Sequence, residues 1–411
     1  MTKTNLDVYR KIAEHCGTPT FIYFEETLKN NVQRVKGALE GTNLADKVNI
    51  FVAYFTNSHP QFFRILAGQG IGTTIQSVEE HHQLKYFGLS GIESIVSPTA
   101  LSDEDLEYFL NCGLPVNVAL PEELEYALQR SDSVGIRIDL SPEQRQRTGF
   151  KIAEYNEIAK ICLKSGKSIH AIHTYPETGS KLDRLINHAE EVFRAYRQYF
   201  PKTRVINLGG GFAFAYEARS SEEKHFPWKR YFAQLALLLD KYSIPRYVKI
   251  SIEPGRDIFA DTGEFLVRMN RVHTRKNERI QQIYTDGSYI FMPSATIRER
   301  QHELSFFTDE FREDNDRTGY AKLSGCTTLS RDYLFPGAVR SPPNVQEGSY
   351  ILVRDIGAYG ACQHMEFLNK RPAAEVLIRG DGALELITRR GGYTDRLRHV
   401  LRQPEQFGRI E

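Results

Sequence analysis

Short apolar, β-branched runs alternate with longer amphipathic stretches from about residue 20 to residue 255. This alternation is typical of strands that are each followed by a helix and pair in a parallel sheet. Helix-start signals stand between the runs, such as the capping box of Ser77 and Glu80 and the proline Pro121 at a first helical turn. The strand candidates are residues 48–54, 71–75, 94–97, 115–120, 135–140, 168–173, 204–208 and 247–252. Eight such repeats predict an α/β fold, a TIM-type (β/α)8 barrel, over residues 20–264.

The pattern changes after residue 264. Apolar runs at residues 265–272, 350–353 and 374–378 are separated by turns and polar stretches, without helices at regular spacing. This predicts a mostly β C-terminal domain, formed by residues 265–411 together with residues 1–19. Residues 306–320 are rich in Asp, Glu and Arg, and we expect them to form a solvated insertion or a mobile loop rather than a binding face.

Composition argues against several classes of function. The chain has 53 basic and 52 acidic residues, so no net field attracts nucleic acid. Its five cysteines contain no C-x-x-C pair, and we expect neither a disulfide framework nor a metal site. The first residues lack an apolar signal segment, and no stretch is long and apolar enough to span a membrane. We therefore expect a cytoplasmic protein without a nucleic-acid or membrane partner.

Candidate chemistry lies at the C-terminal ends of the predicted strands, where barrels of this type place their active sites. His173 ends the sixth strand and Ser180 follows it. Residues 209–211, three glycines, follow the seventh strand, and residues 253–256, Glu-Pro-Gly-Arg, follow the eighth. Taken singly, the histidine suits an interior position and the glycines a tight turn. Together they offer a flat ring, donors for a phosphate and a carboxylate for a protonated ring nitrogen, a set that favours pyridoxal phosphate.

Further motifs extend the pattern over nearly the whole chain. They are Thr-Pro-Thr-Phe-Ile-Tyr at 18–23, Gly-Gly-Gly-Phe at 209–212, Glu-Pro-Gly-Arg at 253–256, Asp-Gly at 286–287, Gly-Cys-Thr-Thr at 325–328 with Asp332, Asp-Ile-Gly-Ala-Tyr-Gly at 355–360 and Asn-Lys-Arg-Pro-Ala-Ala-Glu-Val at 369–376. In these motifs the chain resembles the fold-type III pyridoxal-phosphate-dependent decarboxylases. That family includes the diaminopimelate, ornithine and arginine decarboxylases and is distantly related to alanine racemase.

The resemblance implies roles for particular residues. His173 would stack on the pyridine ring, and Glu253 would hold the ring nitrogen. The phosphate would lie among Ser180, Gly209, Gly210, Gly211, Gly255, Arg256 and Tyr359. In the C-terminal domain, Thr328 and Asp332 would share the catalytic role with His173, and Arg331 and Asp332 would contact the substrate. The resemblance also implies a head-to-tail homodimer, in which the region of Asp332 enters the partner's active site.

The chain departs from the family where the cofactor is held covalently. Family members carry a Schiff-base lysine in a segment like Tyr-Ala-Val-Lys-Ala-Asn, whereas residues 52–57 read Val-Ala-Tyr-Phe-Thr-Asn. Aligned on Asn57, the lysine position falls on Phe55 or on the junction of Phe55 and Thr56. The family's catalytic cysteine falls on Thr328, because Cys326 stands two positions early.

Two more departures accompany these, and two lysines lie near enough to be considered as substitutes. The acidic residue usual after the second strand is replaced around residues 72–73, and the loop of residues 173–180 is longer than in the family. No lysine lies between Lys47 and Lys85. Lys181 and Lys151 are candidate replacements, although neither follows the required strand.

The residues leave three functions open. The first is a divergent amino-acid decarboxylase-like enzyme of a specialised biosynthetic pathway, with non-covalent pyridoxal phosphate and an amino-acid-like substrate. The second is a catalytically inactive homologue that serves as a binding or regulatory partner, a reading that Phe55 and Thr328 favour. The third is a site for another phosphorylated metabolite. Arg331 would repel a cationic side chain, which favours an anionic or neutral substrate.

Overall fold

The computed structural model describes residues 6–141, 148–218, 220–276, 278–297, 300 and 302–403. The chain folds as two compact units. The barrel unit comprises Glu25–Thr262 and Gly357–Cys362, and the sheet unit comprises the described residues of Met1–Phe24, Gly263–Ile356 and Gln363–Glu411. Residues 1–5 and 404–411 of the predicted β domain lie outside the described residues.

Eight parallel strands close the barrel in chain order, and the last strand pairs with the first. They are β2 (Val48–Ala53), β3 (Gly72–Ile75), β4 (Ser94–Val96), β5 (Val116–Val118), β6 (Val134–Arg137), β7 (Ala171–His173), β8 (Val205–Asn207) and β9 (Lys249–Ile252). Each coincides with one of the predicted runs, so the prediction of a TIM-type barrel is confirmed. The strands are mostly buried because the barrel interior and the helices cover their two faces.

Ten helices belong to the barrel unit as described. They are α2 (Glu25–Leu39), α3 (Pro60–Gly68), α4 (Val78–Tyr86), α5 (Asp103–Asn111), α6 (Pro121–Leu128), α7 (Tyr155–Ser165), α8 (Leu182–Tyr199), α9 (Ser221–Lys224), α10 (Trp228–Lys241) and α11 (Arg256–Phe259). Ser77 caps α4, since its hydroxyl accepts the amide of Glu80 at 3.3 Å, and the Glu80 carboxylate accepts the amide of Gln76 at 2.6 Å, one residue before the position that the predicted capping box requires. Across the described residues, no helix is long and apolar enough to cross a membrane.

The observed strands are mostly shorter than the predicted runs, and β5 shows the physical reason. Pro115 has no N–H to donate, and Leu120 precedes Pro121, which begins α6. The carboxylate of Glu123 accepts the amides of Ala119 at 2.8 Å and Leu120 at 3.2 Å. These amides therefore bond the helix start instead of a neighbouring strand.

The sheet unit is built on one ten-stranded sheet with mostly antiparallel pairing. Its strands are β1 (Thr20–Phe24), β10 (Gly263–His273), β11 (Ile280–Thr285), β12 (Leu304–Phe307), β13 (Glu313–Asp314), β14 (Gly319–Ser324), β15 (Val339–Ser341), β16 (Tyr350–Val353), β17 (Ala374–Ile378) and β18 (Leu384–Thr388), and its helices are α1 (Leu6–Cys16) and α12 (Pro293–Ile297). The central order is β13-β12-β16-β10-β1-β17-β18, and β11, β14 and β15 extend from β10. The prediction of a mostly β second domain is confirmed.

The division between the units differs from the predicted boundaries at residues 20 and 264. Strand β1 pairs antiparallel with β10 and parallel with β17, so it belongs to the sheet unit although it precedes the barrel in sequence. Residues 357–362 belong to the barrel unit although they lie late in the chain. Both differences come from pairing between residues that are far apart in sequence.

The expectation that residues 306–320 form a solvated insertion or a mobile loop is wrong for Phe306, Phe307 and Phe311, whereas the other residues of this segment are exposed or half-buried. Phe306 and Phe307 end β12, pair with β16 and are 1% and 2% exposed. Phe311 is also buried and stacks on Tyr350 at 4.3 Å between ring centres. The charged residues lie on the solvent side of this hairpin, and its aromatic residues pack into the core.

Candidate functional site

A buried carboxylate stands at the C-terminal rim of the barrel. Glu253 follows β9 directly and is 8% exposed. Its Oε1 accepts a hydrogen bond of 2.7 Å from Asn207 Nδ2, at the end of β8, and lies 3.5 Å from His173 Nε2, at the end of β7. Burial alone would raise the pKa of Glu253, but the opposing effects of His173, Asn207 and Arg137 outweigh burial and lower it. The side chain is therefore an ionised carboxylate inside the barrel mouth.

His173 presents an imidazole ring without hydrogen bonds beside this carboxylate. The residue is 2% exposed, and neither ring nitrogen makes a hydrogen bond to any described residue. Buried polar atoms of folded proteins nearly always have a partner, so such a group marks a place where a bound molecule or water completes the contacts. The strand register sets His173 between Arg137 of β6 and Asn207 of β8.

The loop of three glycines has no room for side chains. A Cβ atom at Gly210 would lie 2.5 Å from the carbonyl oxygen of Glu253. Gly209 and Gly211 have φ angles of +70° and +90°, a conformation that favours glycine. The amide of Gly209 donates to Asn207 Oδ1 at 2.9 Å, whereas the amides of Gly210 and Gly211 donate to none of the described residues. Two adjacent amides of this kind can hold an anion.

Ser180 joins the glycine loop through its backbone. Its amide donates to the carbonyl of Gly211 at 2.8 Å, and its hydroxyl donates to the carbonyl of Glu177 at 2.9 Å. The structure thus brings the loops after β7 and β8 together, as the barrel prediction requires. A hydrogen bond from the Ser180 hydroxyl to a phosphate stays a prediction.

Arg256 and Tyr359 form the cationic part of this rim. Arg256 is 8% exposed, donates to the Tyr216 hydroxyl at 3.0 Å, and places its guanidinium carbon 4.5 Å from the centre of the Tyr359 ring. Tyr359 has a φ angle of +58°, which is strained for a bulky residue and indicates a functional constraint. Its amide donates to the Thr56 carbonyl at 2.8 Å, and burial raises the pKa of its phenol, so the hydroxyl stays protonated. A Cβ atom at Gly255 would overlap the hydroxyl of Thr56.

The end of β2 brings aromatic and hydroxyl groups to this rim. Tyr54 packs away from it, because its hydroxyl donates to Gln83 of α4 at 3.2 Å and its ring lies 4.5 Å from that of Phe63 of α3. Phe55 is 42% exposed, with its ring centre 6.1 Å from that of Tyr359. Thr56 is fully buried, and its Oγ1 lies 3.5 Å from the Tyr359 hydroxyl. Phe55 and Thr56, not Tyr54, therefore accompany Tyr359.

The two candidate replacement lysines have different surroundings. Lys151 Nζ lies 2.7 Å from Asp139 Oδ2 and donates to the Ser141 carbonyl at 3.2 Å. Asp139 is 7% exposed, so this amine neutralises a buried carboxylate. Lys181 precedes α8 and is exposed. A contact between either amine and a ligand stays a prediction.

Of the three predicted site residues in the sheet unit at positions 328–332, one is buried and two are exposed. Asp332 is 5% exposed and accepts four hydrogen bonds, from the Ser288 hydroxyl, the Tyr289 amide, and the Thr327 amide and hydroxyl, at 2.7–3.2 Å. Both carboxylate oxygens thereby join two loops. Thr328 and Arg331 are exposed on the loop that Asp332 anchors. Substrate contact by these residues stays a prediction.

The sequence reasoning missed three residues of the rim. Asn207 holds both Glu253 and the amide of Gly209, and the charge of Arg137 helps to keep Glu253 ionised. Thr56 contacts Tyr359. Asn207 and Thr56 lie at or just after the C-terminal end of a predicted strand, so the rule that selected His173 could have found them as well. Arg137 ends the observed strand β6, whereas the predicted run continued to residue 140.

A family model matches the sequence of the barrel unit. The model described as "Pyridoxal-dependent decarboxylase, pyridoxal binding domain" matches residues 26–260, more than half of the chain and nearly all of the barrel unit. Curated relatives include the diaminopimelate decarboxylases of Methanothermobacter thermautotrophicus and Zymomonas mobilis. Each is 22% identical to this chain and covers 94% of it, with 92% and 94% of the relative's own length matched.

Solved structures show the same fold. A diaminopimelate decarboxylase structure has a TM-score of 0.80 at 19% identity and covers 96% of this chain and 97% of its own. The Helicobacter pylori diaminopimelate decarboxylase complexed with L-lysine has a TM-score of 0.79 at 19% identity, with coverages of 95% and 98%. The Vibrio vulnificus lysine/ornithine decarboxylase complexed with cadaverine has a TM-score of 0.78 at 17% identity, with coverages of 92% and 99%. With the family match over the barrel, these findings show that the chain belongs to the fold-type III pyridoxal-phosphate-dependent decarboxylase family.

Proposed function

We propose that this protein binds pyridoxal 5'-phosphate non-covalently at the barrel rim and acts as a divergent decarboxylase on an amino-acid-like substrate. The observation that carries the proposal is the ionised Glu253, 8% exposed, beside the unbonded ring of His173. Asn207 and His173 both approach Oε1 of this carboxylate. A protonated pyridine nitrogen would add a further cationic partner for the carboxylate, and a flat ring beside His173 would cover the imidazole.

The phosphate of the cofactor also finds suitable groups at the same rim. Gly210 and Gly211 offer amides that donate to none of the described residues, and Arg256 supplies a buried guanidinium. The Tyr359 hydroxyl is a neutral donor because burial raises the pKa of its phenol. Charge-assisted hydrogen bonds from such groups are the strong ones in phosphate recognition.

When bound, pyridoxal phosphate supplies an electron sink for breaking a bond at the α-carbon of an amino acid. The residues of this chain would bind and orient it. Glu253 would keep a proton on the ring nitrogen, and Arg256 and the amides of Gly210 and Gly211 would hold the phosphate. His173 would cover the ring and exclude water from it.

Non-covalent binding is supported by the residues at the end of β2. The family resemblance places the lysine position at Phe55 or at the junction of Phe55 and Thr56, and Lys151 is paired with Asp139 at 2.7 Å. Without a lysine that forms a Schiff base, the cofactor is held by its phosphate and its ring alone. We therefore expect a cofactor that dissociates on dialysis.

The test is an absorption titration of the purified protein with pyridoxal phosphate, followed by borohydride reduction, denaturation and intact-mass measurement. We expect a saturable spectral change and no retained mass in the native chain, and a retained mass on residue 55 in the Phe55→Lys variant. A native adduct mapped to Lys151 or Lys181 would overturn the non-covalent proposal. The absence of saturable binding would overturn the cofactor assignment.

A matched pair of arginine variants tests the placement. Arg256 lies 4.5 Å above the Tyr359 ring, and Arg204 lies 4.9 Å above the Tyr247 ring at the N-terminal ends of β8 and β9. We expect Arg256→Met to weaken binding of pyridoxal phosphate at least tenfold, about 1.4 kcal/mol or more, and Arg204→Met to leave it within about twofold. Equal effects would show that loss of a stacked arginine, not of a phosphate contact, weakens binding.

The proposed substrate is an anionic or neutral amino acid. Arg331 is exposed on the loop of Thr328, and a cation there repels a basic side chain. With cofactor present, carbon dioxide release from a panel of acidic, neutral and basic amino acids tests this proposal. The Arg331→Glu variant should move the preference towards basic amino acids. An unchanged preference would mean that Arg331 does not contact the substrate.

Phe55 and Thr328 favour a second function, a catalytically inactive binding or regulatory protein, because they replace both reactive groups of the family. This function predicts cofactor binding without release of carbon dioxide from any amino acid of the panel.

We further propose the head-to-tail homodimer that the family resemblance implies, with the exposed loop of Thr328 and Arg331 at the shared site. Light scattering during size-exclusion chromatography tests it, and a monomer at micromolar concentration would overturn it.

A further inference from the structure

A buried charged cluster lies beside Arg256 in the barrel unit. His225 Nδ1 is 3.1 Å from Asp257 Oδ1, and its Nε2 is 3.0 Å from Asp261 Oδ2. The side chains of His225 and Asp257 are 6% and 0% exposed. An imidazole between two carboxylates is held in position at both nitrogens, so we name His225, Asp257 and Asp261 the histidine clamp.

Asp257 anchors the residue that follows Arg256. Its Oδ1 also accepts the amide of Phe226 at 2.8 Å, and its Oδ2 accepts Trp228 Nε1 at 2.7 Å and Arg34 Nη2 at 3.0 Å. A carboxylate with this many partners is firmly held, and Arg256 is its direct neighbour in the chain. The backbone of Arg256 therefore adjoins an anchored residue.

The clamp also reaches the partner of the Arg256 guanidinium. The ring of His225 packs edge-on against Phe214 at 5.2 Å, and Phe214 packs edge-on against Tyr216 at 5.0 Å. The Tyr216 hydroxyl accepts a hydrogen bond from Arg256 Nη1 at 3.0 Å. His225 thus supports Arg256 by two routes, the backbone through Asp257 and the guanidinium through Tyr216.

We propose that His225 is a positioning residue that aims Arg256 and thereby makes the barrel rim selective for the phosphate group of its ligand. The inference rests on the proposed function for the identity of that ligand as pyridoxal phosphate. His225 itself does not touch the ligand. Its loss should weaken recognition of the phosphate and leave recognition of the pyridine ring, which Glu253 and His173 provide, nearly unchanged.

The charges in the histidine clamp should make recognition of the phosphate group depend on pH. Burial alone would lower the pKa of His225, but its hydrogen bonds to Asp257 and Asp261 outweigh burial and raise it. Arg34 also faces the clamp, and its charge opposes this effect. A raised folded-state pKa means that the charged clamp is complete at lower pH and is lost as pH rises through that pKa. The second pKa of a phosphate ester is about 6, so the charge of the phosphate group changes little above about pH 7, and the ring groups are shared with the comparison ligand pyridoxal.

The experiment compares two ligands, pyridoxal phosphate and pyridoxal, in the His225→Gln variant of the full chain. We expect the dissociation constant of pyridoxal phosphate to rise about tenfold and that of pyridoxal to change less than about twofold. The control is His81→Gln, which removes a buried imidazole that bonds Tyr108 at 3.0 Å. This control should leave the ratio of the two affinities unchanged.

Two further measurements keep the test informative if His225→Gln folds poorly. Asp261→Asn removes one carboxylate of the clamp and preserves the shape of the side chain. It should therefore weaken binding of pyridoxal phosphate selectively as well, but by a smaller factor than His225→Gln. In the native chain, the ratio of the two affinities should fall as pH rises above the usual pKa of histidine, because the pKa of His225 is raised. In either clamp variant this fall should be reduced.

The outcomes separate this inference from the proposed function. Saturable cofactor binding with equal losses for both ligands, or with no loss, overturns the positioning role and leaves the proposed function intact. If the native chain binds neither ligand but binds inorganic phosphate, the cofactor assignment fails, and a weaker phosphate affinity in His225→Gln still supports the positioning role. No binding of any of the three probes overturns both.

Discussion

Gly210 offers a sharp test of the rim, because its change to alanine places one atom against the backbone of Glu253. The added Cβ would lie 2.5 Å from the Glu253 carbonyl oxygen, well inside van der Waals contact, and a backbone atom cannot move aside as a flexible side chain can. Forcing an extra methyl into a packed site typically costs about 1–3 kcal/mol. Relief of this clash requires the backbone of either Gly210 or Glu253 to shift.

A matched variant isolates this contact. Gly91 is exposed, has no neighbour within 4 Å of an added Cβ and, like Gly210, has no left-handed φ angle. Gly91→Ala should stabilise the barrel by about 0.4–1 kcal/mol, because alanine restricts the unfolded chain. Gly210→Ala gains the same amount but also introduces the clash with the Glu253 carbonyl oxygen, so the stabilities of the two variants should differ by about 1–3 kcal/mol.

The assay is urea unfolding followed by tryptophan fluorescence. Trp228 is the one tryptophan of the chain and is 2% exposed in the barrel unit, so its emission reports on that unit. A pyridoxal phosphate titration of Gly210→Ala should also show weaker binding, since Glu253 moves with its backbone. Equal unfolding midpoints for Gly210→Ala and Gly91→Ala, at equal slope, would refute the reasoning.

Three further predictions concern charges and donors. Glu253→Gln should weaken binding of pyridoxal phosphate about tenfold in an absorption titration, because a neutral amide cannot balance a protonated ring nitrogen; unchanged affinity would remove Glu253 from the site. Tyr359→Phe keeps the ring but removes the hydroxyl, and should raise the same dissociation constant about threefold, with pyridoxal as the ligand that shows no change. In the native protein, burial alone would raise the pKa of Asp139, but Lys151 and Ser141 outweigh burial and lower that pKa. The pairing of Asp139 with Lys151 therefore stabilises the fold at neutral pH, and this stabilisation is lost as pH falls through the pKa of Asp139. Lys151→Met should therefore destabilise the barrel by about 1–3 kcal/mol at pH 7 and by less at pH 4, where the unpaired carboxyl takes up a proton; equal penalties in urea unfolding at the two pH values would contradict this.

Much of the fold could be predicted because it depends on local patterns. Each barrel strand is a short apolar run next to a helix-start signal, and the order of eight such repeats leaves one common architecture. The same rule placed His173, the glycine loop and Glu253 at one rim, since all parallel strands end on the same side. The absence of a lysine between Lys47 and Lys85 is likewise a property of the sequence alone.

Other features arise between residues that are distant in the chain. Strand β1 belongs to the sheet unit because it pairs with β10 and β17, and residues 357–362 join the barrel unit. Residues 306–320 are charged in composition, yet Phe311 is buried because β12 pairs with β16. Local composition could not show these outcomes, since pairing partners are not encoded by any single segment.

The chemical groups at the barrel rim follow from the sequence alone, because strand order and loop composition are properties of the chain. How those groups act on one another depends on the folded structure. It keeps Glu253 ionised through Asn207 and Arg137, saturates Asp332 with hydrogen bonds, and pairs Lys151 with a buried carboxylate. The physical reason is that ionisation and hydrogen bonding depend on burial and on distances of a few ångströms, which are defined only when separate strands meet.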